Sequence, residues 1–245
     1  MVKISILVPL YNTPLQFLNE MIESVLNQTY QNWELCLADG SDDEHTEVGA
    51  RCQEYAAKDK RIVYHKLLKN EGIAGNTNEC YKLATGEYIG LFDHDDILHP
   101  SVLFEYVKVI NEQGADYIYC DETTFKGDSI DNMITLHFKP DFSIDNLRAN
   151  NYICHLCVVE TAWIQKLQIR RQYDGAQDYD LVLRIVSSLM LKEKENSNSG
   201  RVEDYICHVP KVLYHWRCHE ASTAANPHSK KYACLLYTSP SPRDG

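Results

Sequence analysis

No stretch of the 245-residue chain approaches the roughly 20 consecutive apolar residues that a membrane-spanning helix needs. The apolar opening from Ile4 to Leu10 is interrupted by Pro9 and is too short for a secretory leader. Cations are scarce as well: 24 Lys and Arg stand against 35 Asp and Glu, a formal charge of −11. No basic cluster interleaves with aromatics, and a nucleic-acid backbone needs such a footprint, so nucleic acid is excluded as a partner. The nine cysteines are odd in number and scattered, which suits free thiols in a reducing compartment better than a disulfide framework. The CxxC pair Cys154 and Cys157 falls in an expected strand over Asn151 to Val159, where alternation sends its sulfurs to opposite faces, against a zinc site. No repeat or linker divides the chain. These absences leave an acidic globular domain, expected in the cytoplasm, with docking at the inner face of a membrane left open.

What is present reads as alternating strands and helices. Ile4 to Val8 is a nearly continuous apolar run, as expected of a strand buried on both faces. Thr13 then reads as a helix N-cap, with Pro14 in the first turn and Gln16 closing a capping box. Leu15, Leu18, Met21, Ile22, Val25 and Leu26 share one helical face. Further strands are expected at Trp33 to Ala38, Ile62 to Leu67 and Tyr88 to Phe92, with a helix over Ile73 to Leu83. The order implies an α/β fold with a mostly parallel, Rossmann-like central sheet.

The second half is less regular. A helix follows His99-Pro100, a strand runs from Ala115 to Cys120, and residues 123 to 150 read as an irregular excursion. Asp178 to Leu189 is an amphipathic helix, Lys192 to Gly200 a polar loop and Ile206 to Tyr214 a last strand. Residues 234–245 have neither period and read as a non-native tail after truncation, with a natural low-complexity tail as the alternative.

Ligands of such sheets sit beyond the carboxyl ends of the strands. Three polar clusters fall there: Tyr11-Asn12, Asp39-Gly40-Ser41-Asp42 and Asp93-His94-Asp95-Asp96. Alternate carboxylates leaving a strand can converge on a hard cation such as Mg²⁺ or Mn²⁺, leaving coordination sites for a diphosphate. A solvated acidic turn is the plainer alternative. Asp39 could accept from a base or ribose, or simply form a turn. Asn70 and Asn76 flank Gly72 and Gly75, where backbone could approach a ligand or merely close a loop. Asp178 opens a helix whose positive end favours an ionised carboxylate; it could act as general base or only cap the helix. His215 could complete a metal shell or, as a lone histidine among ten, be structural, and Arg217 could pair with phosphate.

Taken together, these residues resemble the family 2 glycosyltransferases of GT-A fold, especially bacterial polysaccharide and rhamnan-type enzymes. The resemblance covers about residues 3 to 233. It rests on Val8-Pro9-Leu10-Tyr11-Asn12, Gln28 to Leu35, Ala38 to Asp43, Asn70 to Asn76, Phe92 to Asp96, Gln177 to Leu181 and Val212 to Arg217, all in the family's order. It implies one GT-A domain over 1–233, with a nucleotide-binding half of about 1–97 and an acceptor and catalytic half of about 98–233. It also implies an inverting, Mn²⁺- or Mg²⁺-assisted transfer from a UDP- or dTDP-sugar to a glycan or lipid-linked acceptor. Pro9, Tyr11 and Asp39 would line the nucleoside and Asp93 would reach the ribose or sugar. Asp95 and His215 would hold the metal, and Asp178 would be the general base. A sugar nucleotidyltransferase is one alternative, but Pro9 to Pro14 offers no glycine-rich basic triphosphate loop. A non-catalytic nucleotide-sugar-binding module is the other.

Overall fold

A computed structural model describes residues 1–127, 129–195 and 200–219; the expected tail at 234–245 lies outside them. The first strand, β1 (Ile4–Leu10), sorts its side chains by the two-residue period of a strand. Ile4, Ile6, Val8 and Leu10 join one apolar cluster and Leu7 the other. Helix α1 (Leu15–Leu26) covers the first side with Leu18, Met21, Ile22 and Val25. It starts one residue later than the capping box requires. Pro14 takes the cap position without a side-chain hydrogen bond, and the buried Thr13 hydroxyl has no partner.

Strand β2 (Trp33–Asp39), helix α2 (Thr46–Lys58), strand β3 (Ile62–Lys66), helix α3 (Gly72–Leu83) and strand β4 (Tyr88–Leu91) complete the regular half. These four strands are parallel in the order β3-β2-β1-β4. Helix α3 covers the opposite face from α1, with Ala74 and Cys80 packed in the cluster that holds Leu7, Cys36 and Ala38. At the amino end of this sheet the buried Glu34 accepts from Ser5 Oγ (2.5 Å), Lys3 Nζ (2.5 Å) and the Thr85 amide (2.5 Å).

Beyond β4 the chain changes character. Strand β5 (Ile97–Leu98) lies at the far edge of the sheet, and helix α4 (Val102–Gln113) follows, ending at Gly114 in the left-handed region (φ 67°) that glycine adopts without strain. Strand β6 (Tyr117–Lys126) runs six residues past the expected stop. The expected irregular excursion contains strand β7 (Met133–His137), antiparallel to β6, and helix α5 (Ile144–Ala149). Strand β8 is shorter than expected, Cys157–Glu160, so Cys154 lies outside it in a turn. Helix α6 (Thr161–Leu167) and a single 3₁₀ turn (Arg171–Tyr173) lead to helix α7 (Gln177–Glu195), which continues through part of the expected polar loop. A short helix α8 (Val202–Tyr205) precedes the long strand β9 (Ile206–Cys218).

The sheet order among the described residues is β3-β2-β1-β4-β8-β6-β9-β5, with β7 on β6. The parallel character holds from β3 to β4 and returns in the β6–β9 pair; β8, β7 and β5 pair antiparallel. Register between β6 and β9 jumps from Cys120↔Val209 to Asp121↔Val212. Pro210 has no amide to give the ladder, and the chain bulges there. Past the bulge β9 continues to Cys218, four residues beyond the expected end, and carries His215 and Arg217 within the strand.

Candidate active site

The acidic loop leaves β4 after Phe92, which is anchored by its amide to Leu7 O (3.1 Å) and packs edge-on against Tyr214 (5.9 Å, 81°). Its carboxylates then part company. Asp93 is half exposed, with its Oδ2 3.8 Å from His155 Nε2. Asp95 is 15% exposed and meets His219 Nε2 at 2.7 Å. Burial works against its charge, but the His219 contact and nearby His94 prevail and hold its pKa below the usual aspartate value. Asp96 is fully buried and accepts from Tyr214 Oη (2.5 Å) and the Arg217 amide (2.7 Å). Burial, together with the charges of Asp95 and Asp93, pushes its pKa well up. One short loop therefore leaves Asp93 half exposed, pairs Asp95 with His219 and uses Asp96 as its anchor.

Asp39 ends β2 wholly buried. It accepts from the Ser41 amide (2.8 Å), Tyr64 Oη (2.9 Å) and Lys66 Nζ (3.3 Å), tying the ends of β2 and β3 together. Pro9 pairs with Ala38 in the parallel ladder, and Tyr11 is 46% exposed just beyond β1. Asn12 adopts a positive φ of 49° and is held by Ser41 Oγ (2.9 Å) and Asp42 Oδ2 (2.8 Å). Asn70 and Asn76 spend their side chains on their own loop. Asn70 Oδ1 accepts from the Gly72 amide (3.0 Å) and Asn76 Nδ2 (3.0 Å), while Asn76 Oδ1 accepts from the Glu71 amide (2.9 Å). Gly72 supplies the positive φ (79°) this turn requires. Gly40 is needed too: a Cβ there would sit 2.8 Å from Asn76 Nδ2.

Asp178 lies in the first turn of α7, its Oδ2 accepting from Asn151 Nδ2 at 2.8 Å. Two crossings tie this region to the first half of the chain. Asp174 Oδ1 accepts from the Ala74 amide (2.6 Å) and Arg171 pairs with Glu71 (2.5 Å), joining the approach to α7 to the start of α3. The segment 151–155 reaches from Asp178, through Asn151, to Asp93, through His155.

Two expected site residues are placed elsewhere. His215 pairs with Ile97 in the β5–β9 ladder and lines a cavity of about 330 Å³ with Glu20, Glu23, Ile97 and His99. Burial, then nearby His99, lowers its pKa to about 4. The imidazole beside Asp95 is His219, four residues on. Arg217 is not free for phosphate. It is 1% exposed, donates to Asp95 O (2.8 Å) and Gly127 O (2.7 Å), pairs with Glu20, and lies between the rings of Phe17 and Phe125. Both residues lie inside β9, which runs on past Tyr214: Arg217 is spent on the partners just named, while His215 Nδ1 is buried without a hydrogen-bond partner. His219 carried no distinguishing signal in a chain with ten histidines. Glu122 was also missed: it lies buried among Lys139 (2.9 Å), His137 (3.1 Å) and His155 (3.4 Å).

Among the described residues no three His, Cys, Asp or Glu side chains converge as a ready metal site. The donor set still fits a hard divalent cation that takes few ligands from protein: an ionised carboxylate beside an imidazole, with remaining positions supplied by diphosphate oxygens.

Polar loops stand at the carboxyl ends of the parallel strands β1, β2 and β4, where ligands of α/β sheets sit. The chain belongs to glycosyl transferase family 2, whose family model matches residues 5–169. It is 40% identical over 233 residues to an uncharacterized protein, y4gI, of Sinorhizobium fredii (94% of this chain, 24% of that protein). It is 30% identical over 225 residues to the O-antigen biosynthesis protein RfbC of Myxococcus xanthus (91% and 16%). The chain thus spans a quarter or less of the length of these two relatives. Among solved structures it resembles S. aureus TarS in complex with UDP-GlcNAc (TM-score 0.66, 19% identity, 91% of this chain and 61% of that one). It also resembles the mannosyltransferase PcManGT of Pyrobaculum calidifontis with GDP-Man and Mn²⁺ (TM-score 0.64, 15% identity, 98% and 66%). The fold is GT-A. Among the described residues no helix is long and apolar enough to cross a membrane.

Proposed function

We propose that this chain carries the catalytic domain of an inverting glycosyltransferase that moves a sugar from a UDP- or dTDP-sugar to a polysaccharide or lipid-linked glycan. The observation that carries this reading is the division of the acidic loop at the end of β4: Asp96 is buried as an anchor, Asp95 is 15% exposed and meets His219, and Asp93 is half exposed. Asp95 and His219 would hold Mn²⁺ or Mg²⁺, a correction of the expected pairing with His215. When bound, the ion neutralises charge on the diphosphate leaving group. Pro9, Tyr11 and Asp39 line the nucleoside side, Asn70, Gly72 and Asn76 shape its loop, and Asp93 accepts from the ribose or sugar. Asp178, oriented by Asn151, takes the acceptor hydroxyl proton as the new glycosidic bond forms and the C1–O bond to the diphosphate breaks. No enzyme nucleophile is required. RfbC's name and the nucleotide-sugars in the two solved structures support the class of acceptor and donor. The test is a panel of UDP-, dTDP- and GDP-sugars with glycan acceptors, reading nucleoside diphosphate release with and without Mn²⁺. Metal-dependent release from at least one donor supports the reading; a folded protein inert across the panel overturns it.

A further inference from the structure

The turn that joins Asp178 to Asp93 is fixed by a buried ion pair. Glu122 and Lys139, 6% and 5% exposed, meet at 2.9 Å. Lys139 Nζ donates to the carbonyl oxygens of Cys154 (2.5 Å) and His155 (3.1 Å), while Glu122 accepts from the His155 amide at 2.9 Å. The backbone of residue 155 is thereby held from both sides. Its ring is held as well: it stacks on Tyr214 (5.2 Å, 19°), leans on Trp216 (5.2 Å, 52°) and sets Nδ1 3.4 Å from Glu122. Tyr214 is itself bonded to Asp96, so the ring rests on the anchor of the acidic loop. What remains is Nε2, which faces Asp93 Oδ2 at 3.8 Å.

We propose that His155 is a positioning residue, holding the Asp93 carboxylate in its donor-binding orientation through the approach of Nε2 to Oδ2, with Glu122 and Lys139 as the platform that holds His155. The proposal rests on the reading of Asp93 as a donor contact. A half-exposed carboxylate on a loop samples several rotamers, and selecting one before the donor arrives removes an ordering cost from binding. Burial disfavours charge on the imidazole, but Cys154 and Glu122 beside it outweigh burial and raise its pKa well above the ordinary histidine value. Both ring nitrogens then carry protons, one for each carboxylate. A histidine with a purely structural role would turn both nitrogens to buried partners; this one directs the second at a carboxylate that is 53% exposed.

The test is a double-mutant cycle on donor binding and turnover with wild type, His155→Ala, Asp93→Ala and the double variant, and with His155→Gln beside them. Gln places an amide N–H near the position of Nε2. His155→Ala is expected to raise the donor KM and Kd about tenfold, the cost of ordering the Asp93 carboxylate on binding, with kcat within about twofold of wild type. The double variant is expected to bind no worse than Asp93→Ala, and His155→Gln to recover most of the loss. Losses that add in the double variant, a deficit confined to kcat, or a Gln variant no better than Ala would each overturn the proposal. Thermal unfolding is followed for each variant, and if His155→Ala does not fold, His155→Phe, which keeps a ring against Tyr214 and removes Nε2, takes its place in the cycle. A folded wild type that binds no nucleotide-sugar overturns the donor reading of Asp93 and this proposal with it. Wild-type binding with additive losses overturns this proposal alone.

Discussion

Residues 1–97 and 98–219 solve the same problem, presenting side chains at the rim of a sheet, in opposite ways. The first half is built from local strand–helix–strand units whose parallel strands are close in sequence. Its polar residues fall at strand ends because each strand stops there. The second half is held by distant pairings, β4 with β8 and β6 with β9, and by buried charges such as Glu122 with Lys139 and Asp180 with Arg170 and Arg184. There Asp178 opens a helix and His219 follows the end of β9, and the placing of each depends on contacts far along the chain. Local units present a ligand surface reliably; long-range contacts are needed where one carboxylate must be aimed at a reacting atom.

The largest expected effect separates the two halves by function. Asp178→Asn keeps the size and the Asn151 contact but removes the proposed base, so turnover should fall roughly a thousandfold while donor Kd stays within about twofold. Steady-state release assays and calorimetric donor binding check it; loss of donor binding would place Asp178 in the nucleotide half's work instead. Arg217→Ala cuts the buried link between β9 and α1, leaving the acidic loop without its backbone clamp and Glu20 without its partner. It should cost about 3 kcal/mol in urea unfolding, as expected when one member of a buried ionic network is deleted. A cost under about 1 kcal/mol would mean that the halves hold together without it. The smallest effect concerns acid stability at the amino end of the parallel half. Burial opposes ionisation of Glu34, but Lys3, Ser5 and Thr85 overcome it and lower its pKa. Its stabilising contribution is complete above the unfolded value of 4.5 and is lost as pH falls through the lower folded value. Glu34→Gln should therefore be less stable than wild type at neutral pH, with the difference closing below pH 4.5; an unchanged acid limb in a pH series of unfolding curves would contradict this.

How much of this was legible in the sequence follows the same division. The strands of the first half could be located because apolar runs, helical periods and turn residues agreed locally, and Asp39 and Asp93 to Asp96 stand at the strand ends where they were expected. Thr13 is an instance of local chemistry overridden by packing: its hydroxyl is buried without the capping bond its sequence context suggests. In the second half, β7 and the extension of β6 depend on each other across a turn, so neither has a strong signal alone. His215 and His219 illustrate the limit at the site. Both are single histidines near one motif, and what separates them is that β9 continues to Cys218, a length set by pairing with β6 and not by any residue near the histidines. Arg217 looked like a phosphate ligand for the same reason; only its rings and carbonyl partners show that it is spent on structure.

The assignment of the metal pair is open to a single direct measurement: electron paramagnetic resonance titration of Mn²⁺, with UDP present, into wild type, Asp95→Ala, His219→Ala and His215→Ala. Nucleotide-dependent Mn²⁺ binding should appear in the wild type and persist in His215→Ala, and should weaken roughly tenfold or more in Asp95→Ala and His219→Ala, the loss of one charged contact. Undiminished binding in Asp95→Ala, or a loss in His215→Ala with none in His219→Ala, would contradict it.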